Sequence, residues 1–293
     1  MISFFNSDRN FKANPASEEQ IELVRSELSK AEAVLVGIGS GMSSASGYNH
    51  YHNCYAFTEN FADYIDEYGF KGMFQGYYHL FSTPQEQWAY YSRYIGFMLD
   101  APAGQPYRDL FSILADKDYF VITSNGDMQA SKVFDKEKIF QYQGDFQYLQ
   151  CSQPCHDGLY DSEPYIRKML SEFSDFKVPY ELIPRCPQCG RIMTPWVRDN
   201  EFLEGSFWLE QQSRYGEFLN KNRDKRLLLL ELGVGDMTPS VIKFPFCTIC
   251  AEFENAHYIS VNLAKSSAPA HLGSKATAIS DDLSGFLKKL SAR

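Results

Sequence analysis

The sequence predicts an α/β protein, a doubly wound Rossmann-like parallel sheet that carries a small zinc-binding module and a helical insertion. Three observations predict it. Near-continuous apolar runs recur along the chain with helix-length segments between them, the pattern of strands buried on both faces. Most of these runs empty into glycines or short polar residues. Four cysteines, in two close pairs, fall in one segment dense in prolines and charges.

Taken in order, Ser17 and Gln20 form a capping box, and Ile21, Val24 and Leu28 repeat at helical spacing, so residues 17–30 read as a helix. Residues 33–37 follow as a strand. The polar run after them, "GSGMSSASG" (39–47), opens no obvious helix. From Tyr48 to about Leu99 there is no strand signal, and the aromatic-rich stretches "FADYIDEYGF" and "WAYYSRYIGF" read as helical. "DYFVITSNGD" (118–127) and "KIFQYQGD" (138–145) are two more strands ending in polar turns. Residues 146–212 show little periodicity, as expected of a metal-organised module. Strands return at 225–236, 257–263 and 275–280, and Ser280 is positioned to cap a terminal helix, 281–291. The domain reading is therefore 1–47, 100–145 and 213–293 for the sheet domain, 48–99 for the insertion and 146–212 for the zinc module.

In such sheets ligands bind beyond the carboxyl ends of the strands. Five predicted strands end at Gly37, Ser124, Gln143, Gly233 and Asn262, so polar groups gather at one edge.

Composition narrows the partners. The 293 residues are 44% hydrophobic with a net charge of −9, which argues against nonspecific binding to nucleic acid or to an anionic membrane surface. No apolar run reaches the ~20 residues of a spanning helix; the longest, 226–235, is broken by Glu231 and glycines. The opening "MISFFNSDRNFK" lacks the basic-then-apolar order of a secretory signal, so the expected location is the cytoplasm. The 19 tyrosines and 23 phenylalanines suit aromatic-lined pockets or large helical packing faces. Seven cysteines in such a chain favour metal ligands or free thiols over disulfides.

Two motifs carry chemistry. "GIGSGMSSASG" (37–47) places glycines on alternate positions, where missing Cβ atoms let amides approach a pyrophosphate, with serine hydroxyls as further donors. It departs from G-x-G-x-x-G, and a ligand-free glycine turn is the alternative. Cys151-x3-Cys155 and Cys186-x2-Cys189 suit a closed, structural tetrahedral zinc site; four free thiols are the alternative. His156 could in principle substitute for one cysteine. Cys247 and Cys250 lie in the apolar "FPFCTICAEF" and read as core residues.

The residues also carry a resemblance. "GSGMSSASG" resembles the sirtuin signature G-A-G-x-S-x-x-S-G, with Ser40 at the alanine position. "TSNGDMQ" (123–129) resembles T-Q-N-x-D-x-L-H, Gln143-Gly144 stands where sirtuins have His-Gly, and the cysteine quartet follows as the sirtuin zinc module does. "GVGDMTPSVIKFP" (233–245) and "SVNL" (260–263) match the late motifs in order. The resemblance implies NAD bound by Gly39, Ser40, Gly41, Ser43, Gly47, Ser124, Asn125, Gly126, Asp127, Gln143, Gly233, Gly235, Asp236 and Asn262. It further implies that Asn125 positions the reacting ribose, Asp127 grips the carboxamide and Gln143 holds ribose hydroxyls.

Two departures shape the expected reaction. Glutamine replaces the family's histidine base, and an amide cannot accept a proton at working pH, so deacylation should be crippled. Tyr51-His52 stands for the usual Phe-Arg; His52 would bind cofactor or act as a base, or be an exposed loop histidine. The combination is similar to the macrodomain-linked (class M) sirtuins of bacteria and fungi. That implies protein ADP-ribosylation, with a lipoylated carrier resembling the glycine-cleavage H protein as acceptor, and a macrodomain hydrolase and a lipoate ligase as associated proteins. The rivals are a deacylase using Asp145 or His52 as base, and a silent NAD-binding regulatory module.

Overall fold

The computed structural model describes residues 15–237, 239–263 and 268–292. The opening dodecapeptide and Thr238 within the 233–245 motif lie outside the described residues. Strands β1 (Ala33–Ile38), β2 (Asp118–Thr123) and β3 (Ile139–Gln141) belong to the large sheet, followed by β4 (Gly144–Cys151), β5 (Tyr160–Asp161) and β6 (Met193–Val197) in a second sheet. Strands β7 (Leu227–Leu232), β8 (His257–Asn262) and β9 (Ala276–Ser280) complete the first. Its order is β3-β2-β1-β7-β8-β9, and every pairing is parallel. All six residues of β1 and of β7 are buried, because helices cover both faces.

Helix α1 (Glu18–Lys30) starts with the expected capping box of Ser17 and Gln20. The loop after β1 is not a loop throughout: it winds into α2 (Ser40–Ala45), with Gly39 extended at its N-cap. Burial of Met42 in the core overrides the weak helix propensity of glycine and serine there. The insertion holds α3 (Tyr55–Asn60), α4 (Ala62–Tyr68), α5 (Met73–Tyr77) and α6 (Pro84–Asp100). Its aromatics form a packing face: Tyr64, Tyr90 and Tyr94 are fully buried, with Tyr64 edge-on to Tyr90 at 4.9 Å. Helix α7 (Gln105–Leu114) leads back to β2.

The cysteine segment is more regular than its sequence suggests. β4 pairs antiparallel with both β5 and β6, and α8 (Glu163–Ser171) packs on α6. The register shift between β4 and β6 and the proline at 195 hide the two-residue period. α9 (Ser206–Lys221) crosses the expected boundary at 212 and lies against β2 and β3, with Trp208 on Phe140 and Phe218 on Phe120. α10 (Lys243–Glu252) packs on β7 and β8 on the same face of the sheet as α9, opposite α1 and α7. The last helix, α11 (Leu283–Ser291), is capped by Asp282, whose carboxylate accepts from the Gly285 amide; Ser280 ends β9 instead.

Candidate active site

The strand order reverses between β1 and β7, and the loops leaving those two strands meet there. The Gly39 amide donates to Leu232 O (3.0 Å) and the Gly41 amide to Gly233 O (2.9 Å). A Cβ on Gly39 would lie 2.6 Å from Gly233 O, and one on Gly41 2.6 Å from Gly233 Cα. These glycines therefore let two backbones cross at the switch point, a second reason for their absent side chains besides approach to a ligand. Gly47, by contrast, has φ +89° with nothing around its missing Cβ, and Gly235 is equally open.

A buried polar cluster sits under this crossing. Asn125, just past β2, donates through Nδ2 to Gly39 O (2.8 Å), Ser43 Oγ (3.1 Å) and Tyr107 Oη (3.3 Å). The Ser43 hydroxyl in turn donates to Asp127 Oδ2. The same oxygen faces His50 Nε2 at 3.1 Å, and His50 Nδ1 lies 2.9 Å from Tyr94 Oη. Asp127 Oδ1 takes the Gln129 amide at 3.3 Å. Burial works against charge on Asp127, but hydrogen bonding and charge from His50, with the bonds from Ser43 and the Gln129 amide, hold its carboxyl below the ordinary value. Burial also pushes the Tyr107 phenol up, so it stays protonated.

Gln143 lies in the tight turn between β3 and β4, half-buried. The turn is pinned from outside: the Arg198 amide donates to Gln143 O (2.9 Å), and the Trp208 indole donates to Tyr142 O (3.0 Å). Gly144 holds φ +79°, and a Cβ there would fall 2.0 Å from Trp196 O, so only glycine fits. Asp145 turns inward. Its carboxylate accepts from the Gln147 amide (2.8 Å), Gln141 Nε2 (2.6 Å) and Ser131 Oγ (3.5 Å). Burial pushes this carboxyl up to about 7, the Gln147 amide bond working against it and the charge of Asp127 adding to it.

Gly39, Gly41, Ser43, Ser124, Asn125, Asp127 and Gly233 thus come together, with Asn262 Nδ2 donating to Val234 O (2.8 Å) at the next strand end. Gly126 joins β4 through its carbonyl, which accepts the Phe146 amide at 2.9 Å. Ser40 opens α2, half-buried. Two expected residues sit apart from the cluster. Asp236 is 94% exposed and pairs with Lys243. His52 is exposed, its amide donating to Asn49 Oδ1. His50, two residues earlier and 5% exposed, is the histidine that reaches the cluster, and the sequence reading passed over it. Tyr94 and Tyr107 were missed too. "GYNHYH" offers two histidines on the same side of an extended chain, and only the Asn49-centred turn separates them.

The four cysteines converge as expected. The sulfurs of Cys151, Cys155, Cys186 and Cys189 all lie within 4.8 Å of one another, with Cys151–Cys189 and Cys155–Cys186 at 3.6 Å. Tetrahedral zinc with Zn–S of ~2.3 Å needs sulfurs about 3.8 Å apart, so the donor set fits the ion. Gly190, at φ +75°, closes the second knuckle by donating to Cys186 O. His156 instead bridges Cys155 Sγ (3.2 Å) and Tyr160 Oη (2.7 Å). Cys247 and Cys250 are buried on α10.

No family model matches the chain. Its fold is that of sirtuins. A Sir2 enzyme with a p53 peptide and NAD+ aligns with TM-score 0.58 at 19% identity, covering 92% of this chain and 96% of that one. A Sir2 homologue with ADP-ribose aligns with TM-score 0.60 at 12% identity, covering 94% and 95%. In sequence, the "Protein ADP-ribosyltransferase" of Staphylococcus aureus is 36% identical over 273 residues, 92% of this chain and 86% of that protein. The chain belongs to the family of that protein ADP-ribosyltransferase, on the fold of sirtuins. A "Probable bifunctional ADP-ribose hydrolase/ADP-ribosyltransferase" of Fusarium oxysporum is 28% identical over 237 residues; the match covers 77% of this chain and 39% of that longer protein. The chain carries Asn125 and Asp127 just after β2 and Gln143 on the turn after β3.

Proposed function

We propose that this sirtuin transfers ADP-ribose from NAD to a side chain of a lipoylated carrier protein resembling the glycine-cleavage H protein, releasing nicotinamide. One observation carries the reading. No histidine is available as a base at the turn after β3: Gln143 occupies it, both nitrogens of His50 are engaged, and His52 is exposed in another loop. Asp145, the remaining candidate base, has both oxygens held by inward-facing donors. A deacylase needs such a base, whereas transfer needs chiefly a held leaving group and an aligned acceptor.

NAD supplies the labile bond between ribose and nicotinamide. The residues around it do the rest. With the Gly39 and Gly41 amides taken by the strand crossing, the backbone at Ser40 and the open positions of Gly47 and Gly235 would face the pyrophosphate. Asp127 accepts a hydrogen bond from the carboxamide, Asn125 orients the ribose, and Gln143 holds its hydroxyls without removing their protons. Cys151, Cys155, Cys186 and Cys189 would hold zinc, which would tie β4 to the segment before β6 and steady the turn that bears Gln143. The reading places the protein in the cytoplasm, where such thiolates stay reduced, with a macrodomain hydrolase and a lipoate ligase as its associates.

Intact-mass spectrometry tests it. With NAD and a lipoylated H-type carrier, one ADP-ribose unit is expected on the carrier, and none on the same carrier lacking lipoate. Release of acyl-ADP-ribose from an acylated peptide, with no adduct on either carrier, would return the protein to the deacylases. Gln143→His should then be tried, since under the transferase reading it adds the missing base and deacylation with it.

A further inference from the structure

We infer that His50 is a positioning residue for Asp127, holding its carboxylate charged and turned so that Oδ1 faces the NAD carboxamide. The inference rests on reading Asp127 as the acceptor for that carboxamide. A buried carboxylate needs compensation, and the groups around it supply little else. Ser43 and the Gln129 amide are neutral donors. Tyr48, Tyr51, Tyr94 and Tyr107 bring hydroxyls that burial keeps protonated. Asp145 is a second acid. Lys132 feels the charge of Asp127 from a distance, its ammonium held by the carbonyls of Met98, Leu99 and Ala101. Among these groups His50 is the one that touches the Asp127 carboxylate with a side chain able to carry positive charge, 3.1 Å from Oδ2.

Geometry then divides the two carboxylate oxygens. Oδ2 accepts from both Ser43 and His50, which leaves Oδ1 with the long bond from Gln129. Oδ1 is thus the oxygen able to accept an amide N–H from outside the cluster. The Tyr94 hydroxyl on Nδ1 can donate or accept, so it supports the imidazole in either protonation state. The ring itself is fixed by Phe74 (5.4 Å, tilted) and Tyr94 (5.7 Å, edge-on).

The test compares NAD with ADP-ribose, which lacks nicotinamide, by calorimetry on the full chain. His50→Phe keeps an aromatic ring, somewhat larger than imidazole, and removes the bond. It should weaken NAD about 10- to 100-fold, the size of a lost charge-assisted hydrogen bond, and leave ADP-ribose within about twofold. Equal weakening of both ligands, or of neither, overturns the proposal. His50→Gln keeps a donor for Oδ2 and should recover most of the NAD affinity near neutral pH. Lacking the charge, it should lose NAD at a higher pH than the wild type as the medium is acidified, because Asp127 is then protonated sooner. An unshifted acid limb overturns the proposal even if His50→Phe fails to fold. A wild-type protein that binds ADP-ribose and NAD equally would instead remove the carboxamide role of Asp127 itself.

Discussion

Asp127 and Asp145 are both buried carboxylates at the carboxyl edge of the sheet, near enough to feel each other's charge, yet their acidities diverge. Asp127 is held below the ordinary carboxylate value, while Asp145 is pushed up to about 7. Both are desolvated, and each accepts hydrogen bonds. The difference lies in the donors: Asp127 has an imidazole that can carry charge, whereas Asp145 has two amides and a hydroxyl. Burial alone therefore does not decide ionisation here; the chemistry of the partner does. The two also hang on different frameworks. Asp127 is tied to the glycine crossing through Ser43 and Asn125, and Asp145 to the zinc-bearing sheet through β4.

The largest expected effect exploits that second difference. Structural zinc contributes apparent free energies of roughly 10 kcal/mol or more in small zinc modules, so a strong chelator should unmake the β4–β6 sheet. By hydrogen exchange, amides 144–151 should lose protection while 33–38 and 118–123 keep theirs. Equal loss in both regions would mean that Asp127 and Asp145 share one framework, and unchanged protection would mean the cysteines hold nothing together.

Single substitutions come next. Asp127→Asn removes the charge that faces His50 and, on the proposed function, the carboxamide; breaking such a buried pair costs about 2–5 kcal/mol. Nicotinamide release per second per molar NAD should fall about 30-fold or more. Asp145→Asn should keep activity within about threefold, since the Gln141 amide can turn over to face the new donor. If the two variants exchanged these results, Asp145 would be the carboxylate that meets substrate.

How far the sequence speaks for itself follows from the same contrast. β1, β2 and β7 were legible because burial on both faces leaves an uninterrupted apolar run, as in Leu227–Leu232. Asn125 and Asp127 were legible because they follow such a run within four residues. The zinc module's strands were not, since β4 alternates irregularly around a register shift and β6 contains a proline. α2 was missed because its glycines and serines have low helix propensity, and only packing of Met42 reveals it. The choice between His50 and His52 depends on a turn closed by the Asn49 side chain on two amides, which no periodicity records. The capping of α11 by Asp282 rather than Ser280 is a shift of two residues, decided by where β9 stops pairing.

The most gradual effect expected is in the pH dependence of stability, where the two carboxylates pull in opposite directions. The pKa of Asp145 is raised on folding, from the ordinary value near 3.8 to about 7. The folded state thus binds this proton more tightly, and stability falls as pH rises across that window, by at most about 4 kcal/mol at 1.36 kcal/mol per unit. Asp127 is lowered, so its contribution is fully present above the ordinary value and is lost only as pH falls below it. Between pH 5 and 7.5 Asp145 should therefore contribute a falling slope, reinforced by Glu231, which burial also raises, and opposed by His257, which burial lowers. Denaturant melts of the wild type should show stability declining over this range, and Asp145→Asn should flatten the decline, because the variant has no proton to lose. Should Asp145→Asn leave the slope intact, the inward-facing amides hold Asp145 as an anion already, and the contrast with Asp127 would rest on framework rather than on charge.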